Sequence, residues 1–257
     1  MQTAEGYYYT DTLGETNRDP IILIHGVGGS HLSWPASMRK VKNRRTITID
    51  LPGHGSSEGS ACQTVASYAI ALQSVLKSAR VYRAFFVGYS LGGQIALHYC
   101  ANHLDQCAGL GLIACSGEPV LPSRLFDLLN DASASTAIRD LVCSLMFDPA
   151  TPPLKIKELE EHLFTSRRGT FLADWRAFRE FRFPDLSHDL TDIPLWICAA
   201  RNDRLIPDRM SRELVRRRPG TVCTLLDHCG HGILAEQPAL VSRAFEENLL
   251  GKKNSPG

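Results

Sequence analysis

The group of residues best placed for chemistry is Gly88-Tyr89-Ser90-Leu91-Gly92. This is the pattern G-x-S-x-G, a serine between glycines that let a strand turn sharply into a helix. In such a turn a side chain at Gly88 or Gly92 would collide with neighbouring backbone. Ser90 then stands proud at a helix N-terminus, where free N–H groups and the helix dipole favour developing negative charge. A serine hydroxyl is a weak nucleophile alone; it needs a base, and the base needs an orienting group. Two later loops offer both. Asp203 lies in Arg201-Asn202-Asp203-Arg204-Leu205-Ile206-Pro207, and His231 in Asp227-His228-Cys229-Gly230-His231-Gly232. Rivals stand nearby: His228 as base, Asp208 and Asp227 as acid. Asp208 begins a helical stretch, where a cap is expected. The pair His228 and Cys229 with His231 lacks a second ligand cluster, so no metal and no cofactor are expected.

These side chains must be positioned by elements that share one edge. Short apolar runs at Ile21–His25, Arg45–Leu51, Ala84–Gly88, Gly109–Cys115, Pro194–Ala200 and Thr221–Leu226 suit strands buried on both faces of a parallel sheet. Helical patterns lie between them. Val65, Tyr68, Ala69, Leu72 and Leu76 form one stripe, and further patterns cover Leu91–Leu104, Arg209–Arg217 and Pro238–Leu250. This alternation predicts an α/β fold, a mostly parallel open sheet with helices on both faces. Ser90, Asp203 and His231 each follow a strand, at the carboxyl edge where open sheets of this kind place their sites. Between about Glu118 and His188 no strand-like run occurs. Helical stretches stand there instead, at Leu125–Leu129, Ile138–Met146, Lys155–Phe164 and Phe171–Phe181. Residues 118–188 are therefore expected to be a helical cap inserted into a core made of 1–117 and 189–257.

Composition excludes several classes. Of 257 residues, 44% are hydrophobic, and 28 Lys and Arg against 27 Asp and Glu leave a net charge of +1. Such a chain can bury enough surface to fold, and it carries no basic excess for nucleic acid or an anionic membrane. The N-terminus has neither a basic region nor an apolar one of signal type, and no apolar run is long enough to span a bilayer. The expected location is cytoplasmic, without stable membrane insertion. The eight cysteines, scattered through apolar segments, are expected to be buried thiols rather than a disulfide framework.

Five features in order resemble the α/β-hydrolase superfamily, in particular serine esterases and lipases with a helical cap. They are His25-Gly26-Val27-Gly28-Gly29, Asp50-Leu51-Pro52-Gly53-His54-Gly55-Ser56-Ser57, the elbow, the loop of Asp203 and the pair Gly230-His231. The resemblance favours His231 as base and Asp203 as acid. It implies an oxyanion hole from the N–H groups of Leu91 and Val27, with Gly28 the near alternative to Val27. His25 and His54 are expected to be structural. The pocket is expected to involve Gly28, Ser30, Trp34, Tyr89, Phe147, Trp175 and Phe178, because the cap is rich in aromatic rings and must cover the serine edge. The implied activity is hydrolysis of a small apolar acyl or aryl ester by water through an acyl-enzyme. Alternatives on the same fold are carbon–carbon bond hydrolases, enol-lactonases, cofactor-free perhydrolases and acyltransferases. Tyr89 replaces the Asn usual before the nucleophile in the carbon–carbon hydrolases. A ligand receptor on a hydrolase scaffold is the alternative from another class. Oligomeric state is not legible.

Overall fold

The computed structural model describes residues 2–14, 17–163, 166–183, 190 and 192–250. Phe164, the boundary expected at 188/189 and the tail Gly251–Gly257 fall outside the described residues. Eight strands form one sheet in the order β1-β2-β4-β3-β5-β6-β7-β8. They are β1 (Gln2–Ala4), β2 (Tyr7–Asp11), β3 (Ile21–Ile24), β4 (Thr46–Ile49), β5 (Ala84–Tyr89), β6 (Cys107–Ile113), β7 (Leu195–Ala200) and β8 (Val222–Leu226). From β4 to β8 all neighbours pair parallel, while β1–β2 and β2–β4 are antiparallel. The six runs read from the sequence are the six parallel strands. The first two strands went unread because they are short and half-exposed, so they lack a continuous apolar run.

Side chains alternate between two cores. Ile22, Ile24, Ile47, Ile49, Phe86, Leu110 and Leu112 point to one. Ile21, Leu23, Phe85, Val87, Ala108 and Trp196 point to the other. Burial on both faces follows from the helices that cover them, as a parallel sheet requires. The first face carries α2 (Val65–Ser78) and α3 (Leu91–Asn102), which follow the short α1 (Ala36–Arg39). Thr64 caps α2 by accepting the N–H of Ser67. The second face is covered by Met38 of α1 and by the helix Pro238–Phe245, through Val241, Ala244 and Phe245. That last helix ends at Phe245 and closes with a π turn at Glu246–Leu250, earlier than its apolar pattern indicates.

Between β6 and β7 lie α4 (Ser123–Asn130), α5 (Ser135–Met146), α6 (Pro153–Leu163) and α7 (Arg168–Glu180). Leu125, Leu129, Ile138, Val142, Phe171, Trp175 and Phe178 join the same apolar cluster as α3 and the first sheet face. Among the described residues no helix is long and apolar enough to cross a membrane. The eight cysteines are free thiols; six are buried, Cys62 is half-buried and Cys223 exposed.

Candidate active site

The turn from β5 to α3 puts Ser90 at φ +54°, ψ −119°, a conformation costly for a residue with a side chain. Close packing enforces it. A Cβ on Gly88 would lie 2.1 Å from the carbonyl oxygen of Gly92, and one on Gly92 would lie 2.1 Å from that of Ile24. The Ser90 N–H donates to Ile113 O at 2.9 Å, anchoring the turn to β6. The strain is held because the surrounding backbone leaves no room for another path.

His231 Nε2 lies 2.8 Å from Ser90 Oγ, and its Nδ1 lies 2.8 Å from Asp203 Oδ2. The other carboxylate oxygen, Oδ1, accepts the N–H groups of Leu205 and Ile206, each at 2.8 Å. Those two amides hold the carboxylate so that one oxygen remains for the imidazole. All three residues are nearly buried, at 3%, 5% and 1% exposure for Ser90, Asp203 and His231. A serine, an imidazole and a buried carboxylate linked in this way can move the serine proton to the ring while the carboxylate stabilises the imidazolium.

The two acid rivals are engaged elsewhere. Asp227 accepts from Arg201 Nε, and Asp208 pairs with Arg212. The N-cap is Pro207, with Asp208 the first helical residue after it, so Asp208 does not hold the capping position expected of it. His228 has φ +55°, and its carbonyl accepts from Gln237.

Among the described residues, the amides of Val27 and Leu91 have no acceptor, whereas Gly28 N–H donates to Asp174 Oδ2 at 2.8 Å. Of the two oxyanion-donor candidates in the Gly26–Ser30 loop, Gly28 is thus already committed. His25 sits beneath the loop. Its Nε2 accepts the N–H of Leu51 at 3.0 Å and its Nδ1 donates to Gly26 O at 2.8 Å. Burial, then the charge of His54, holds its pKa well below the ordinary value, so the ring is neutral and braces the loop.

A cavity of about 250 Å³ opens beside Tyr89 and Gly232, the chain neighbours of Ser90 and His231. Val27, Trp34, Pro35, Met146, Phe147 and Leu234 supply much of its wall, and no lining residue carries a charged side chain. Of the expected pocket residues, Trp34, Tyr89 and Phe147 line this cavity; Gly28, Ser30, Trp175 and Phe178 do not. Ser30 is spent on capping the turn His31–Ser33, its Oγ accepting from Leu32 N at 3.2 Å. Trp175 is buried edge-on between Phe171 and Phe178, and Phe178 packs 6.3 Å from the His231 ring. Those rings fill the contact between α7 and the core, which leaves them no wall of this cavity. Tyr89 also donates its hydroxyl to His231 O at 2.9 Å, and burial, then the Asp203 charge, pushes its phenol pKa up, so it stays a donor.

Three buried carboxylates, Asp148, Asp174 and Glu236, escaped sequence reasoning. Glu236 accepts from Gly230 N at 2.8 Å and Asp148 N at 2.9 Å, tying the histidine loop to the end of α5. Nothing in its sequence neighbourhood marks it. Asp174 accepts from Gly28 N, His54 Nε2 at 2.7 Å and Tyr68 OH at 2.5 Å. Its available sign was a carboxylate on the stripe Phe171, Trp175, Phe178, because buried carboxylates are rare unless partnered.

The strand order, elbow and loop positions define an α/β-hydrolase. The chain belongs to the alpha/beta hydrolase family, whose model matches residues 21–244. It is 35% identical to 2-succinyl-6-hydroxy-2,4-cyclohexadiene-1-carboxylate synthase of Klebsiella pneumoniae, over 89% of this chain and 93% of that protein. It is 26% identical to 2-hydroxy-6-oxononadienedioate/2-hydroxy-6-oxononatrienedioate hydrolase of Burkholderia vietnamiensis, over 94% of this chain and 90% of that protein. The enol-lactonase of Burkholderia xenovorans superimposes with a TM-score of 0.82 at 19% identity, covering 96% of this chain and 98% of that one.

Proposed function

We propose that this hydrolase cleaves carboxylic esters of apolar acyl or aryl groups. Ser90 Oγ attacks the ester carbonyl while His231 Nε2 takes its proton. Asp203 keeps the ring oriented and stabilises the cation. The N–H groups of Val27 and Leu91 receive the oxyanion; losing one such donor typically costs about 2.7–4 kcal/mol in the barrier. The tetrahedral intermediate expels the alcohol, which takes the proton from His231. Water then adds to the acyl-enzyme by the same proton path, releasing the acid and restoring the Ser90 hydroxyl. The helices α4–α7 act as the cap over the serine edge, in a 118–188 insertion. The substrate is a small apolar ester with water as co-substrate, in the cytoplasm, without nucleic acid or membrane insertion.

The observation that carries this reading is an uncharged apolar cavity lined by Tyr89 and Gly232, the chain neighbours of a serine and histidine already 2.8 Å apart. A dioate, as in the name of the Burkholderia vietnamiensis relative, would enter this cavity without a cationic partner, and burying a carboxylate that way is expensive. Tyr89 before the serine also counts against carbon–carbon hydrolysis. The test is turnover of a p-nitrophenyl ester series and simple lactones by wild type and Ser90→Ala. Wild-type turnover with an optimum in chain length, abolished in Ser90→Ala, is expected. Equal rates in the two proteins on every substrate would overturn the ester reading; release of a dienoate from a carbon–carbon substrate would replace it.

A further inference from the structure

Asp174 is fully buried on α7, inside the segment that joins β6 to β7, yet it reaches the loop that follows β3. Four residues of that loop, Gly26–Gly29, form a turn closed by Gly29 N–H donating to Gly26 O at 3.1 Å. Gly28, the third residue, has φ +65°, the sign that a type II turn demands there. A type I and a type II turn differ by a flip of their central peptide, here the one joining Val27 to Gly28. The N–H of that peptide is the group Asp174 Oδ2 accepts at 2.8 Å. The same oxygen faces His54 Nε2 at 2.7 Å, and the other accepts the Tyr68 hydroxyl at 2.5 Å.

We infer that Asp174 is a positioning residue, which locks the Val27–Gly28 peptide in one orientation, keeps the Val27 carbonyl turned away from the side of the bound Gly28 amide, and so holds the turn in the form in which the adjoining Gly26–Val27 peptide offers the Val27 amide to the reacting carbonyl. The catalytic part of this inference rests on the acyl-transfer reading above. The carboxylate is itself fixed. His54 lies between two acceptors, Asp174 through Nε2 and Pro52 O through Nδ1 at 3.1 Å, so both ring nitrogens carry protons. Burial opposes that charge, but the hydrogen bond and charge of Asp174 outweigh it and hold the His54 pKa above its ordinary value. An ion pair between α7 and the turn Pro52–Gly55 thus anchors the acceptor on which the Gly28 amide depends. Among the described residues no hydrogen bond links Ser90, His231 or Asp203 to Asp174, His54 or Tyr68, so the network holds the oxyanion loop apart from the proton path.

Asp174→Ala strips the Gly28 amide of its acceptor, and Asp174→Asn retains a carbonyl oxygen for it. Asp174→Ala should lower kcat on the best ester about tenfold to a hundredfold, somewhat less than outright loss of an oxyanion donor. KM should change less than about threefold, and Asp174→Asn should recover most of kcat, because the interaction is felt in the transition state rather than in substrate binding. Hydrogen exchange at the Gly28 amide, read by NMR without turnover, should be slow in wild type and Asp174→Asn and about tenfold or more faster in Asp174→Ala. Removing Asp174 alone strands a buried cation and can unfold the chain. The double variant His54→Leu/Asp174→Leu removes the pair together, a far smaller penalty, and should show the same kcat loss and fast exchange. Unchanged Gly28 exchange in Asp174→Ala or in the double variant would overturn the inference, as would losses in kcat matched by equal rises in KM. Wild type no faster than Ser90→Ala would overturn the hydrolase reading and the catalytic half of this inference, while Gly28 exchange decides the other half.

Discussion

Asp203→Asn is the substitution whose outcome the geometry specifies most closely. Asp203 Oδ1 accepts two backbone amides, from Leu205 and Ile206, and Oδ2 faces His231 Nδ1. An asparagine has one oxygen, and two N–H donors compete for it on the Oδ1 side. The oxygen therefore seats there, and the amide nitrogen takes the place of Oδ2. An N–H donor now faces His231 Nδ1, which must accept. The ring proton moves to Nε2, pointing at Ser90 Oγ, and no lone pair remains to take the serine proton. The same exchange in an established Ser-His-Asp system lowers kcat by about 10⁴. At 1.36 kcal/mol per tenfold that is about 5.4 kcal/mol in the barrier. Both backbone hydrogen bonds survive, so the change in stability should stay near 1 kcal/mol, the worth of an ordinary hydrogen bond. The assay is kcat on the best p-nitrophenyl ester, with urea unfolding on the same preparation. Retention of more than about a tenth of wild-type kcat, a loss of less than 1.4 kcal/mol, would refute the tautomer reasoning.

Gly88→Ala places a Cβ 2.1 Å from a backbone oxygen in α3, and backbone cannot rotate aside; destabilisation should reach or exceed the roughly 3 kcal/mol of severe overpacking, measured by urea unfolding. A folded variant within about 1 kcal/mol of wild type would mean the elbow can shift. Trp34→Leu opens the wall of the cavity, and the indole N–H it removes has no partner among the described residues. Its optimum should move to longer acyl chains in the ester series; an unmoved optimum would place the acyl group elsewhere. His54→Gln should narrow the dependence of stability on pH. His54 has a raised folded pKa, so its contribution is fully present below the unfolded value and is lost as pH rises through the folded one. The groups facing it are Asp174, Asp50, His25 and Tyr68. The urea-stability gap between wild type and His54→Gln should therefore shrink as pH rises from the ordinary histidine value through the raised folded one, and a widening gap would reverse the assignment of charge.

Strands β3, β5, β6 and β7 were legible because burial on both faces favours near-continuous apolar runs, whereas β4 showed as alternating Ile and Thr and the partly exposed β8 as the run Val222–Leu226. The elbow was legible because the turn tolerates only glycine at Gly88 and Gly92. Strand β2, between β1 and β4, was not, since a half-exposed strand of five residues has no buried apolar run to detect. The lining of the cavity beside Tyr89 was legible only in part. Aromatic content placed rings in α4–α7 without saying which way they point. Trp175 and Phe178 turned inward against α3, and the cavity wall came instead from Met146, Leu234 and the short turn before Trp34.

The sequence by itself determined the chain order of the six parallel strands and the helices between them, the turn that strains Ser90, and which loops stand at the carboxyl edge of the sheet. These are local matters, set by period, by steric exclusion at two glycines and by chain direction in a parallel sheet. Only the tertiary structure decided which residues far apart in the chain share protons. Asp174 meets Gly28, 146 positions away, and Glu236 meets Asp148, 88 positions away. Hydrogen bonds of this kind leave no periodic trace, because a buried carboxylate needs partners wherever the fold brings them. The competition between Val27 and Gly28 shows the difference. Both are amides of one glycine-rich loop, and a carboxylate from a distant helix occupies one, while the other has no acceptor among the described residues.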